Sequence, residues 1–169
     1  MLPSDAAILA QDNLALFVTA VTIFSLLIGS FLNVVILRLP VMMERAWRRE
    51  AQQMLESDVN FAPESAGEPI SLAHPPSTCP KCGHRIRAWE NVPVLSYVFL
   101  RGRCSQCRER ISPRYPLIEA ATAALSVVVA MQFGASWLML AALLLTWALI
   151  ALTMIDIDHQ LLPDSITLP

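Results

Sequence analysis

Three apolar runs divide the chain. Residues 14–37, LALFVTAVTIFSLLIGSFLNVVIL, contain no charged side chain. At about 1.5 Å per residue a helix of this length reaches roughly 36 Å, enough to cross a bilayer with some tilt. A cleaved signal peptide is the rival reading. The run is too long for one, and the residues before it carry Asp5 and Asp12 rather than a basic segment. Two further runs, 117–133 and 137–155, are separated by a short break at Gly134 and predict a helical hairpin. Between the first run and the hairpin, residues 42–57 have an amphipathic pattern. Met43, Trp47, Met54 and Leu55 fall on one stripe and charges cover the rest. This helix either lies on the membrane surface or packs on its own domain. Residues 58–78 hold four prolines and read as a loose linker.

Charge gives the runs a direction. All twelve Lys and Arg lie between Arg38 and Arg114, and 55% of the chain is hydrophobic. Soluble domains do not segregate charge this way, but loops on the cytoplasmic side of a membrane do. The expected path is therefore inward through the first helix, outward through the second and inward again through the third. This places the N-terminus outside. It also returns the end of the third helix, at Ile155–Asp156, to the face that holds the basic block. Eight acidic residues lie among the basic ones, so the block is not read as a nucleic-acid surface. The expected partner of the apolar runs is membrane lipid.

The central segment contains every cysteine. Cys79-x2-Cys82 is followed by a 21-residue gap and then Cys104-x2-Cys107. Two such pairs can close a tetrahedral thiolate site around zinc. A site with four sulfurs leaves no open position, so the metal would be structural. Disulfides are the alternative, disfavoured in a reducing cytoplasm. Gly83 permits a tight turn after the first pair, and Arg108 occupies the same place after the second. His74 and His84 read as solvated side chains rather than ligands. The architecture expected is an all-α polytopic membrane protein with an inserted, cytoplasmic zinc-ribbon-like domain. Its parts are residues 1–37, then 38–116 with the zinc module at 79–107, then 117–169.

Asp156, Asp158 and Asp164 cluster where the third apolar run meets the interface. Ionisable groups at the edge of a membrane segment are functional candidates, although carboxylates there can also simply end a helix in water. In a continued helix Asp156 and Asp158 point about 200° apart, and Pro163 separates Asp164 from both. Paired carboxylates sharing a proton would suit aspartyl proteolysis.

Four segments together resemble the bacterial prepilin leader peptidase/N-methyltransferases. They are GSFLNVVILRLP (29–40), CPKCGHRIRAWENVPVLSY (79–97), RYPLIE (114–119) and IDIDHQLLPD (155–164). The resemblance implies an inner-membrane aspartic peptidase that cleaves the leader of type IV prepilins and type II secretion pseudopilins. It further implies methylation of the new N-terminal amine with S-adenosylmethionine. Carried over by motif, Asp156 is the first catalytic aspartate, Asp158 and Asp164 are motif residues, and the four cysteines are zinc ligands. The family's second aspartate lies in a later G-x-G-D motif. No G-x-G occurs in these 169 residues, so alone they are expected to be inactive. Gly29, Ser30 and Asn33 read as helix-packing residues or as contacts to substrate or cofactor. Glu119 reads as a helix-start acid or as a functional carboxylate. A membrane-anchored zinc adaptor and an ion pathway through the aspartates are the competing functions.

Overall fold

The computed structural model describes residues 14–56, 70–161 and 163–167, apart from the side chains of Leu55, Glu56, Asp164 and Ser165. The N-terminal 13 residues and most of the proposed linker lie outside the described residues. The architecture is all-α, with a four-cysteine module inserted between the first and second long helices. Helix α1 is Leu14–Glu56. A single 3-10 turn, Ala88–Asn91, leads into the short α2, Leu95–Phe99. Then come α3, Arg114–Phe133, α4, Trp137–His159, and the four-residue α5, Asp164–Thr167. Three of these, α1, α3 and α4, are long and apolar enough to cross a membrane.

The first long helix departs from the sequence reading. Residues 42–57 are not a separate element: α1 continues through Pro40 to Glu56. Proline removes one helical hydrogen bond and crowds the preceding turn, but it need not end a helix. The runs on both sides are rich in helix formers, and they carry the helix across. Trp47 and Met54 on the extension are exposed. That stripe does not pack on the cysteine module among the described residues.

The hairpin is framed by local signals. Gly134, at φ 57°, closes α3. Ser136 caps α4 by accepting from the Met139 N–H at 3.2 Å. At the far end Gln160 takes a left-handed conformation and its N–H bonds the Asp156 carbonyl, stopping α4. The core runs along the three-helix contact. Leu32 and Ile36 of α1, Ile118 of α3, and Ala151 and Ile155 of α4 form its main cluster. Ala130, Met139 and Leu143 form a second cluster nearer the hairpin turn.

The α1–α3 contact is unusually close because it is built from small and polar side chains. Ser25, Gly29 and Asn33 recur every fourth residue and face Tyr115, Glu119 and Thr122. A Cβ built on Gly29 would stand 2.8 Å from the Glu119 Cα. Thr122 and Ser126 return their hydroxyls to carbonyls one turn back, at 2.7 Å each. Trp147 of α4 reaches across to donate to the Ser126 hydroxyl at 2.9 Å. Gly29 and Asn33 thus sit in the α1–α3 contact, whereas Ser30 accepts from Asn91 of the cysteine module.

Gly29→Ala should destabilise the bundle. Alanine gains about 1 kcal/mol of helix propensity, but its methyl would collide with backbone, and overpacking costs about 1–3 kcal/mol. The expected outcome is a lower thermal midpoint in detergent, with a larger drop for Gly29→Leu. An unchanged midpoint for both would contradict the close approach.

Candidate metal centre and carboxylate site

The four cysteines converge. Their sulfurs all lie within 4.8 Å of one another, although the residues are far apart in sequence. Cys79 and Cys107 Sγ are 3.7 Å apart, and Cys82 and Cys104 Sγ 4.0 Å. Sulfurs at about 2.3 Å from a tetrahedral zinc would stand about 3.8 Å from each other, whereas a disulfide needs about 2.05 Å. The donor set and spacing therefore fit one zinc-like ion and exclude disulfide pairing in this conformation.

Each pair sits on the same turn, repeated. The Cys79 N–H bonds the His84 carbonyl and the Gly83 N–H returns to Cys79. In the second turn the Cys104 N–H bonds the Glu109 carbonyl and the Arg108 N–H returns to Cys104. Gly83 has φ 69° and Arg108 φ 57°. The second turn adopts the left-handed conformation without glycine, at a cost of about 1 kcal/mol. An ion pair between Lys81 and Glu109 joins the two turns. Backbone N–H groups of Cys82 and Lys81 draw the Cys79 thiol down to about 6. The Glu109 backbone favours the Cys107 thiolate, but partial desolvation and the neighbouring sulfurs push that thiol up to about 12. Four thiolates this close need a cation between them.

His84 is not solvated as the sequence reading had it. Its Nε2 lies 3.1 Å from Glu90 Oε2 and its side chain is largely covered. The Arg87 backbone N–H, the Ser105 hydroxyl and His84 together hold the Glu90 carboxyl at about 2. His74 is exposed. Neither histidine belongs to the four-sulfur cluster.

The module is tied to the helices at three places. Arg38 donates to the carbonyls of Ser71, Leu72 and Pro75, at 2.9, 3.3 and 2.6 Å. Asn91 donates to the Ser30 hydroxyl at 3.3 Å. The Val94 N–H donates to Glu119 Oε2 at 2.7 Å. Glu119 is only 7% exposed, with Ser30 and Asn33 beside its carboxylate. The Asn33 amide in turn donates to the Tyr115 carbonyl at 3.1 Å. Glu119 is thus a junction residue inside the bundle rather than a simple helix-start acid.

The aspartates separate as the helical geometry requires. Helix α4 continues through both Asp156 and Asp158. Asp158 faces α3 and accepts from both Arg114 terminal nitrogens, at 2.8 and 2.5 Å. Asp156 is exposed. Asp164 opens α5 behind the buried Pro163, and its side chain lies outside the described residues. Arg114 was missed in the sequence. Its signal was its place as the first residue of the second span, level with the end of the third. As expected, the end of α4 and the cysteine module lie at the same end of the bundle.

A family model, the bacterial peptidase A24 N-terminal domain, matches residues 23–133. The chain belongs to this family. A prepilin leader peptidase/N-methyltransferase of Pseudomonas putida is 57% identical over 155 residues, covering 92% of this chain and 52% of that protein. One from Pseudomonas aeruginosa is 52% identical over 161 residues, covering 95% and 54%. One from Neisseria gonorrhoeae is 51% identical over 147 residues, covering 87% and 50%. The chain spans about half the length of the curated relatives it matches. No solved structure matches it. The peptidase A24 N-terminal domain model takes in the four cysteines, Arg114 and Glu119, and ends before the aspartates.

Breaking the Arg114–Asp158 pair should loosen the end of α4. The pair is bidentate but partly exposed, so its loss is worth about 1 kcal/mol. Asp158→Ala or Arg114→Ala should speed limited proteolysis near Gln160, and the exchanged pair Arg114→Asp with Asp158→Arg should recover part of the protection. Equal protease sensitivity in all four proteins would show that the pair does not hold the helix end.

Proposed function

We propose that this chain is the N-terminal part of an inner-membrane prepilin peptidase that also methylates its product. The observation that carries the reading is the division of labour at the end of α4. Asp158 is engaged by Arg114, whereas the neighbouring Asp156 is exposed, at the end of the bundle where the cysteine module docks. Relatives over most of the chain are named for this activity.

In this reading Asp156 is one carboxylate of an aspartyl pair, and the second comes from outside these 169 residues. Two carboxylates sharing one proton let one activate water while the other protonates the departing amine. With only one carboxylate of the pair, residues 1–169 by themselves do not cleave. Asp158 positions the helix end, and Asp164 is a motif residue without an assigned step. The N-terminus lies outside, the 38–116 region is cytoplasmic, and the substrates are prepilins and pseudopilins whose leaders are presented on that side. The segregation of all Lys and Arg between Arg38 and Arg114 supports this orientation.

Zinc, held by Cys79, Cys82, Cys104 and Cys107, is structural here. It neutralises the clustered thiolates and fixes a module that has little core of its own. S-adenosylmethionine is the methyl donor that the resemblance implies. A groove of about 710 Å³ between α3 and α4 is lined mainly by apolar side chains such as Leu117, Leu125, Leu149 and Met154, with Arg114 beside them. Apart from Arg114, which Asp158 already engages, it offers few polar groups to a charged sulfonium and a carboxylate.

Two outcomes test the reading. In the full-length protein, Asp156→Asn should abolish prepilin cleavage on a gel while leaving the zinc content unchanged, because Asn keeps the shape and loses the basicity. Asp158→Asn should do less harm. Full cleavage by Asp156→Asn would assign the chemistry elsewhere. Metal analysis of the purified protein should find about one zinc per chain. Any single Cys→Ser change should lower it and expose residues 79–107 to protease. Full zinc content in all four variants would remove the cysteines as ligands.

A further inference from the structure

The segment linking the two cysteine turns lies deeper along the helices than a water-bathed module would. Arg38 and Arg114 are the charges that bound the apolar runs of α1 and α3, and they mark where these helices meet the headgroups. Ser30 is eight residues further into α1 than Arg38, about 12 Å along the helix. Glu119 lies five residues into α3, about 7–8 Å past Arg114. Asn91 bonds the first and Val94 the second. The turn at Ala88–Asn91 and helix α2 are therefore held below the level of both arginines.

What this segment shows to its surroundings is apolar. Trp89, Val92, Leu95, Val98 and Phe99 are all exposed, with Phe99 at 82%. The charged groups of the module lie outside it, at Arg85, Arg87, Arg101 and Arg103. The one charge within it, Glu90, turns back onto the Arg87 N–H and His84. Much of its backbone from Val94 to Leu100 is also provided for. The N–H groups of Val94, Leu95, Ser96, Val98 and Leu100 are all hydrogen-bonded. Irregular backbone is tolerated at membrane depth only when its polar groups are satisfied in this way.

We propose that residues 88–100 form a wedge of the cysteine module that inserts among the fatty-acyl chains of the lipid. The occupant of its exposed face is lipid because the segment is bonded to α1 and α3 at Ser30 and Glu119, inside their apolar runs, where Leu27, Phe31 and Leu117 are also exposed. Trp89 sits at its edge, where an indole suits the interface. Arginines flank it in sequence, at Arg85, Arg87, Arg101 and Arg103, and such residues suit anionic headgroups. The cysteine module is then a membrane-embedded domain along one edge, oriented by the bilayer as well as by the helices.

The test uses the full-length protein in vesicles of phosphatidylcholine and phosphatidylglycerol. Every tryptophan except Trp89 is replaced by phenylalanine, Trp47, Trp137 and Trp147 among them. Lipids brominated along the acyl chain should lower Trp89 emission about twofold, as for a side chain buried at the headgroup–acyl boundary, and iodide in the water should leave it nearly unchanged. A second protein carrying Trp89→Phe and Phe99→Trp should respond at least as strongly to the brominated lipids. Unchanged zinc content shows that both proteins are folded. Quenching by iodide without quenching by brominated lipid would place the segment in water and overturn the proposal. Quenching by neither would show that protein covers it, which overturns it equally.

Discussion

A buried carboxylate holds the two halves of this molecule together. Glu119 belongs to a membrane-spanning helix, yet it accepts a hydrogen bond from a backbone N–H of the cysteine module, at Val94. A carboxylate removed from water is costly unless its oxygens are satisfied. Here the partners come from two elements, Val94 from the module and Ser30 and Asn33 from α1, both closing on α3. The arrangement depends on Gly29, because any side chain there would drive α1 away from Glu119. Val94 itself has φ 57°, an unfavourable conformation for a β-branched residue. Such strain persists only where its surroundings over-determine it, and Glu119 is the group that holds Val94 in place.

The same level of the bundle positions the carboxylates of α4. Helix α3 presents Arg114 to α4 and Glu119 to α1, on different faces and little more than one turn apart. One face docks the module and the other anchors Asp158. Because helical positions two apart diverge by about 200°, holding Asp158 against α3 turns Asp156 away from it. Residues 156–160 are all exposed, and what distinguishes the two aspartates is that Arg114 has taken Asp158. Arg114 connects the module, whose last turn it follows, to the helix that carries the candidate catalytic group.

Much of this was legible in the sequence, and the parts that were not share a cause. The three spans, the cysteine pairing, the hairpin at Gly134 and the return of α4 to the module's end follow from hydropathy, spacing and parity. These signals are local or one-dimensional. The continuity of α1 to Glu56 was missed because the apolar run ends at Arg38, and a change from apolar to charged residues does not by itself end a helix. The pairings of Arg114 with Asp158 and of His84 with Glu90 join residues whose partnership no periodicity encodes. Glu119 stood out as a charge in an apolar run, but its direction depended on how closely α1 could approach. That in turn rested on a glycine whose role is visible only in three dimensions.

The composition of the module explains why it needs both a metal and the helices. Among its described residues, 70–113, only Pro93, Gly102 and Cys104 are buried, so it has no cluster of large apolar side chains to fold around. Its larger hydrophobic groups, including Trp89, Leu95 and Phe99, point outward instead. In a free domain this would be an inverted design, since burial of such groups is the main favourable term in folding. It becomes consistent once the module is taken as part of the membrane assembly. The cysteine cluster supplies internal order, Glu119 and Ser30 supply the register against α1 and α3, and the outward apolar face meets the medium that those helices already occupy. A change that released the junction at Glu119 would therefore reach the cysteine turns, although no sulfur lies beside it in the sequence.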